Sequence, residues 1–341
     1  MNRKHFLARG KWLATMPLLT GLLRAVDPDA DTRCVVPPAL TAGDTIGITS
    51  PAGFITHEEI QPALRQMQEW GYRVRVGDTI GKRYHTFGGT DAERLADLQQ
   101  MLDAPDVQAI MCARGGYGAV RLIDKLNWQR FKQAPKWMVG FSDITVLHAH
   151  LNRQVGVASL HAKMCNSFPA DFSQAEPGQA AGILSIRDAL CGKPMQYTLP
   201  SSIHNRQGKT KAMLVGGNLK TLESLAGSSS DIHTKGKILF VEDTGEYRYS
   251  IDRMFWNLKR SGKLSGLKGL IIGGFKIKPD DPGSEFGKEL SDIVLEKIAD
   301  YHYPVSFDFP VGHQRDNFAL KCGVLHELSV TDTETTLTEI A

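Results

Sequence analysis

The residues in this sequence with the best claim to chemistry stand where an apolar run meets a small turn. In Trp137 to Leu151, WMVGFSDITVLHAHL, the run Trp137 to Val139 ends at Gly140. Phe141, Ser142 and Asp143 then lead into a segment with helical spacing at Ile144, Leu147 and Leu151. A serine at such a strand–turn–helix junction can lift its hydroxyl to a helix N-terminus, where free backbone N–H groups stabilise negative charge. The same position suits a helix N-cap, since Ser142 and Asp143 can each accept from orphan amides, and these residues alone leave both readings open. A nucleophilic serine needs a base within hydrogen-bond reach and an acid to orient that base. His313 follows an apolar strand and the turn Pro310-Val311-Gly312, although a lone loop histidine is more commonly a solvated surface residue. His148, His150 and His161 are rivals for the base. The first two lie on the helix after Ser142 and point in different directions, and His161 follows a short strand, Val157 to Leu160. Glu242 ends the run KILFV, as a surface charge or as a partly buried acid with a partner.

These residues must be positioned by the elements around them. Asp44 to Thr49 reads as a buried strand, His57 to Trp70 as a helix stopped by Gly71, and Tyr72 to Val76 as a second strand. Asp91 to Leu102 is an amphipathic helix, and Val107 to Ala113 a strand that ends at Arg114-Gly115-Gly116-Tyr117-Gly118. Strands alternating with helices imply a parallel sheet, with ligands bound beyond the carboxyl ends of its strands. The RGGYG and GFSD turns therefore share one rim. RGGYG lacks the Lys-Ser/Thr ending of a phosphate-binding loop, and a Gly-Gly pair beside a candidate nucleophile suits an oxyanion better. Residues 166–210 are polar, with four prolines and one clear helix near Ala180 to Leu190, and read as a linker. From Lys211 the alternation resumes: strands at Met213 to Val215, Lys237 to Val241, Gly269 to Phe275 and Pro304 to Phe309, helices including Ile251 to Leu258 and Phe286 to Ile298, and an antiparallel tail from Ala319. The expected fold is α/β: a flavodoxin- or Rossmann-like parallel-sheet domain over residues 37–165, a linker over 166–210, and a C-terminal α/β domain with a mixed sheet over 211–341.

Composition narrows the class. The 341 residues are 42% hydrophobic and 23% charged, as in soluble globular proteins. The net charge of +3 comes without a basic stripe, so nucleic acid is not expected as a partner. Five scattered cysteines without a C-x-x-C pair argue against a disulfide framework or structural zinc, and no histidine spacing suggests a metal site. Residues 1–36 are a signal-like or disordered extension. Arg3, Lys4, Arg9 and Lys11 precede an apolar stretch from Trp12 to Leu23 that is too short to span a membrane. Asn2 to Leu7, NRKHFL, resembles a twin-arginine export signal with Lys4 in place of the second arginine, so export to the periplasm is expected; the alternative is a basic tail on a cytoplasmic enzyme.

ARGGYGAVRLI, PKWMVGFSDITVLHAHL, the GGNL at Gly216 to Leu219, LFVEDTGEYRYSIDRMFWNL and FPVGH, in that order, resemble the LD-carboxypeptidase family of serine peptidases (muramoyltetrapeptide carboxypeptidases). The resemblance runs from about Pro37 to the C-terminus. It implies a Ser-Glu-His triad of Ser142, Glu242 and His313, an oxyanion hole formed by the backbone amides of Asp143 and Gly116, and release of D-alanine from a murein tetrapeptide through an acyl-enzyme. It also implies a homodimer and no metal or cofactor. A carboxypeptidase must further recognise a free carboxylate, for which Arg114 is the candidate, with Gly115 and Tyr117 beside it in the substrate site. Two departures stand out. The family commonly has His-Gly-Pro where this chain has His161-Ala162-Lys163, and Gln314-Arg315-Asp316-Asn317 replaces the usual turn after the histidine. Two other functions remain in view: a microcin-type peptidyl-nucleotide amide hydrolase conferring self-immunity, and a catalytically inactive muropeptide-binding protein. In either enzymatic reading Asp143 is free to cap the helix with its side chain.

Overall fold

A computed structural model describes residues 33–340. The export-signal expectation falls on residues outside that range. Five parallel strands make up most of the first, six-stranded sheet: β1 (Thr45–Thr49), β2 (Arg73–Val76), β3 (Ala109–Cys112), β4 (Trp137–Gly140) and β5 (Ser159–His161), in the order β2-β1-β3-β4-β5. Their sequences reflect their places. TIGIT of β1 is buried throughout, as a strand covered on both faces must be, whereas RVRV of β2 is half exposed at the edge.

The second sheet takes β6 (Gln196–Pro200), β7 (Gly208–Asn218), β8 (Ile238–Glu246), β9 (Gly269–Ile277) and β10 (Val305–Ser306). After β11 (Leu320–Cys322) come its last two strands, β12 (Leu325–Val330) and β13 (Glu334–Glu339), and the order is β10-β9-β8-β7-β12-β13-β6. The strands β7 to β10 run parallel, while β12, β13 and β6 add antiparallel pairs, so this sheet is mixed. β11 instead returns to the first sheet and pairs antiparallel with β5. The expected strand at Met213 to Val215 is longer than its apolar core because the alternating Lys209-Thr210-Lys211 pairs with β12 before the buried half pairs with β8. The expected strand from Pro304 to Phe309 shrinks to two residues, and the expected helix from Phe286 to Ile298 begins only at Leu290.

Eight α-helices lie among the described residues: α1 (His57–Glu69), α2 (Asp91–Asp103), α3 (Gln129–Gln133), α4 (Thr145–His150), α5 (Pro177–Leu190), α6 (Leu219–Ser224), α7 (Arg248–Arg260) and α8 (Leu290–Lys297). Thr56 and Thr90 start α1 and α2 with reciprocal capping boxes to Glu59 and Glu93, each cap contributing about 1 kcal/mol. Residues 166–210 are more than a connector: Ile183, Ile186 and Leu190 of α5 enter the core of the first sheet, and β6 closes the edge of the second. α4 joins the two sheets, because Val146, Leu147 and Ala149 share an apolar cluster with Val215, Leu219 and Leu222. Asn218, at the end of β7, donates its amide to Thr145 Oγ1 at 3.0 Å, fixing the end of the second sheet to the first turn of α4.

Candidate active site

Ser142 follows β4 by two residues and sits in the left-handed region, with φ of 64°. A non-glycine residue pays a conformational cost there, and such strain is held only where the surroundings determine it. Here two neighbouring turns determine it. Gly115 leaves so little room that a Cβ on it would lie 3.0 Å from Ser142 Cβ and 3.1 Å from Oγ. The Asp143 carboxylate accepts from the Ala119 amide at 2.8 Å, which ties the turn after β4 to the end of the glycine-rich turn after β3.

The expectation that Asp143 caps the helix is therefore wrong: neither Ser142 nor Asp143 makes a side-chain cap, and the Asp143 carboxylate reaches across to a different turn. Burial pushes its carboxyl up to about 6, against the opposing pull of the Ala119 and Gly118 amides. Arg94, fully buried on α2, braces the same loop by donating to Gly118 O at 3.0 Å and to Pro51 O. Nothing in the sequence pointed to Arg94 except an arginine on the apolar side of a helix.

The amides proposed for the oxyanion are also local. Gly115 O accepts from Gly53 N at 2.8 Å, so in a trans peptide the Gly116 N–H faces away from Gly53. Among the described residues the Gly116 amide donates to no backbone acceptor. Arg114 donates to Phe54 O at 3.3 Å, and its guanidinium lies 5.7 Å from the centre of the Phe54 ring. Tyr117 is half exposed and packs against Phe87.

Glu242 and His313 come from the second sheet and meet directly. Glu242 Oε2 accepts from His313 Nδ1 at 2.6 Å and from the His313 backbone amide at 3.2 Å. Gly312 makes this approach possible: with φ of 100° it lies so close that any Cβ there would be 2.4 Å from Glu242 Cβ. The Glu242 side chain has no solvent exposure. Burial alone would raise its carboxyl, but His161 and His313 outweigh burial and hold it down to about 2. Asp243, next along β8, is pushed the other way, to about 6, chiefly by burial and in part by the Glu242 charge.

Phe141, the residue before Ser142, packs its ring 4.9 Å from that of His313, so the turn carrying Ser142 and the Glu242–His313 pair adjoin. No hydrogen bond joins Ser142 Oγ to His313 among the described residues. The rival bases are otherwise engaged. His148 is fully enclosed with Nε2 on Gly140 O at 2.8 Å, and burial pushes it down to about 3; His150 turns away to Ser230 Oγ at 2.9 Å. His161 is wholly buried, with Nε2 3.9 Å from Glu242 Oε1. No group of histidine, cysteine or carboxylate side chains with metal-binding geometry occurs among the described residues.

Fold and site together have the character of an α/β serine hydrolase. Comparison with known proteins narrows this: residues 46–162 match the model of the LD-carboxypeptidase N-terminal domain, and residues 211–328 that of the LD-carboxypeptidase C-terminal domain. The chain belongs to the LD-carboxypeptidase family and is a serine-type carboxypeptidase. It is 31% identical to a probable murein peptide carboxypeptidase of Bacillus subtilis, over 84% of this chain and 89% of that one. It is also 31% identical to the murein tetrapeptide carboxypeptidase of Pseudomonas aeruginosa, over 82% and 91%. The crystal structure of a muramoyltetrapeptide carboxypeptidase from Oxalobacter formigenes is 27% identical and superposes with a TM-score of 0.76, over 87% of this chain and 99% of that one. The microcin C7 self-immunity protein of Escherichia coli is more distant, at 23% identity.

Proposed function

We propose that this carboxypeptidase cleaves the L,D-peptide bond of murein tetrapeptides and releases D-alanine through an acyl-enzyme on Ser142. The observation that carries the reading is the 2.6 Å contact of Glu242 with His313, beside the residue that precedes Ser142. His313 Nε2 takes the Ser142 Oγ proton as the oxygen attacks the carbonyl carbon. The oxyanion of the tetrahedral intermediate is met by the Asp143 and Gly116 amides. Glu242 keeps the imidazole proton on Nδ1 and balances the imidazolium that forms. His313 then passes its proton to the departing amine of D-alanine, and water hydrolyses the ester through the same groups. Arg114, beside Gly115 and Tyr117, receives the terminal carboxylate. The reading calls for no metal or cofactor. It extends to a homodimer and to export through the N-terminal segment. A monomer in sedimentation, or protein confined to the cytosol with its N-terminus intact, would remove those two extensions.

The test is D-alanine release from murein tetrapeptide followed by mass spectrometry. Ser142→Ala is expected to lower kcat at least about 10⁴-fold. Undiminished release by that variant would overturn the assignment of the nucleophile. Hydrolysis of a peptidyl-nucleotide analogue with none of the tetrapeptide would replace the substrate class, and muropeptide binding without turnover of either would favour a binding protein.

A further inference from the structure

We infer that His161 is a positioning residue that holds the second carboxylate oxygen of Glu242, so that the acid is clamped between two histidines rather than paired with one. The inference rests on the reading of Glu242 as the acid of the site. His161 ends β5 opposite Gly140 of β4, and its ring is walled by Phe141 at 5.9 Å, Phe240 at 5.0 Å and His148 at 6.1 Å between ring centres. Two of those neighbours are apolar, and the side chain is entirely buried.

A leucine or phenylalanine would fill such a site without enclosing polar atoms, and buried polar atoms are ordinarily paired. Both ring nitrogens of His161 and Oε1 of Glu242 lack a hydrogen-bond partner among the described residues. Two of those three atoms face each other at 3.9 Å, both on side chains without solvent exposure. By contrast Oε2 is doubly engaged by His313. An approach of about 1 Å brings His161 Nε2 within hydrogen-bond range of Oε1. A carboxylate only accepts, so the proton of that contact is on His161 Nε2.

The consequence is geometric. A carboxylate held at one oxygen can still rotate about its last bond, whereas one held at both oxygens presents Oε2 to His313 Nδ1 at a fixed angle. The first sheet, which carries the nucleophile, thereby sets the orientation of the acid on the second. Burial keeps His161 from taking the Ser142 proton through solvent, and its role runs through Glu242 alone. The other titratable groups around the pair are Asp243 on β8, His148 on α4, His313 on the loop after β10 and Cys322 on β11.

The test compares His161→Gln, whose side-chain N–H can stand in for Nε2–H, with His161→Leu, which cannot donate. For D-alanine release, His161→Leu is expected to lower kcat about 10- to 100-fold with KM within about twofold of wild type, and His161→Gln to recover to within about threefold. The low-field proton resonance of His313 Nδ1–H should shift or broaden in the leucine variant and persist in the glutamine one. A leucine variant with wild-type melting temperature, kcat and low-field proton would overturn the inference. If both variants fail to fold, ¹⁵N spectra of the wild type decide: a proton on Nε2 of His161 supports the clamp, and a bare Nε2 overturns it. The spectra need no substrate, so a failure to cleave tetrapeptide would count against the proposed function and leave this test standing.

Discussion

The two halves of the candidate site are built on different physics. The nucleophile turn is held by backbone and shape: a serine at positive φ, a glycine packed against its hydroxyl, and the Asp143 and Arg94 side chains tying one turn to the next within a single sheet. The acid–base half is held by charge. A glutamate without solvent contact is kept ionised by histidines, one of which comes from the opposite sheet. The difference predicts two kinds of damage. Perturbing the first half misplaces an atom and leaves the Glu242–His313 protonation alone, while perturbing the second changes which nitrogen carries a proton. α4, pinned to β7 through Thr145 and Asn218, keeps the two in register.

The largest expected effect falls on the electrostatic half. In Glu242→Gln the amide is nearly isosteric, but its NH₂ group can turn toward His313 Nδ1 and stabilise the wrong tautomer. The expected loss in kcat is about 10³- to 10⁴-fold, or about 4–5.5 kcal/mol of barrier, with little change in KM. Steady-state D-alanine release checks this. A variant within tenfold of wild type would break the comparison, because the carboxylate charge would then have little part in the chemistry.

A smaller loss is expected on the steric half. Gly115 has an ordinary backbone conformation, so Gly115→Ala carries no φ penalty, yet its new methyl would stand 3.0 Å from Ser142 Cβ and 3.3 Å from Met164 Cε. Relief requires Ser142 to move, and misplacement of a reacting atom by a fraction of an ångström to an ångström costs up to about 10²-fold in kcat. The pH profile should keep its shape while the whole curve drops, since the Glu242–His313 contact is untouched. A changed profile would mean that the two halves are coupled more tightly than their separate construction suggests.

What was legible in the sequence follows the same division. The strand–turn–helix around Ser142 lies in one short continuous stretch, and the adjacency of its turn to RGGYG follows from consecutive β-α units in a parallel sheet, so both could be read directly. Glu242 and His313, far along the chain, could be named as candidates, but the contacts that distant partners make could not. His161 stood as a rival base because a histidine at a strand end looks the same whether it faces solvent or lies against an acid eighty-one positions later. Asp143 looked like a cap because its local spacing suits one, while the Ala119 amide it accepts from is in another loop. Leu320 to Cys322 is too short to declare which sheet it joins, and only pairing with β5 assigns it to the first.

The smallest effect, and the one that separates the halves most cleanly, lies in the pH dependence of stability. Asp143 has its carboxyl raised to about 6 by burial, above an unfolded value of about 3.9. Between those values the folded state binds more protons than the unfolded one, so its contribution to stability is fully present below about pH 4 and is lost as pH rises through about 6. Glu242 has the opposite sign: held at about 2, it contributes above its unfolded value of about 4.3 and loses that contribution as pH falls toward 2. Asn at position 143 can still accept from the Ala119 amide but does not ionise. Wild type should therefore lose roughly 2 kcal/mol relative to Asp143→Asn between pH 4 and pH 7, in urea unfolding measured at each pH. A difference that stays flat across that range would mean that the nucleophile turn carries no titrating strain, and the charge-based description would then belong to the Glu242 half alone.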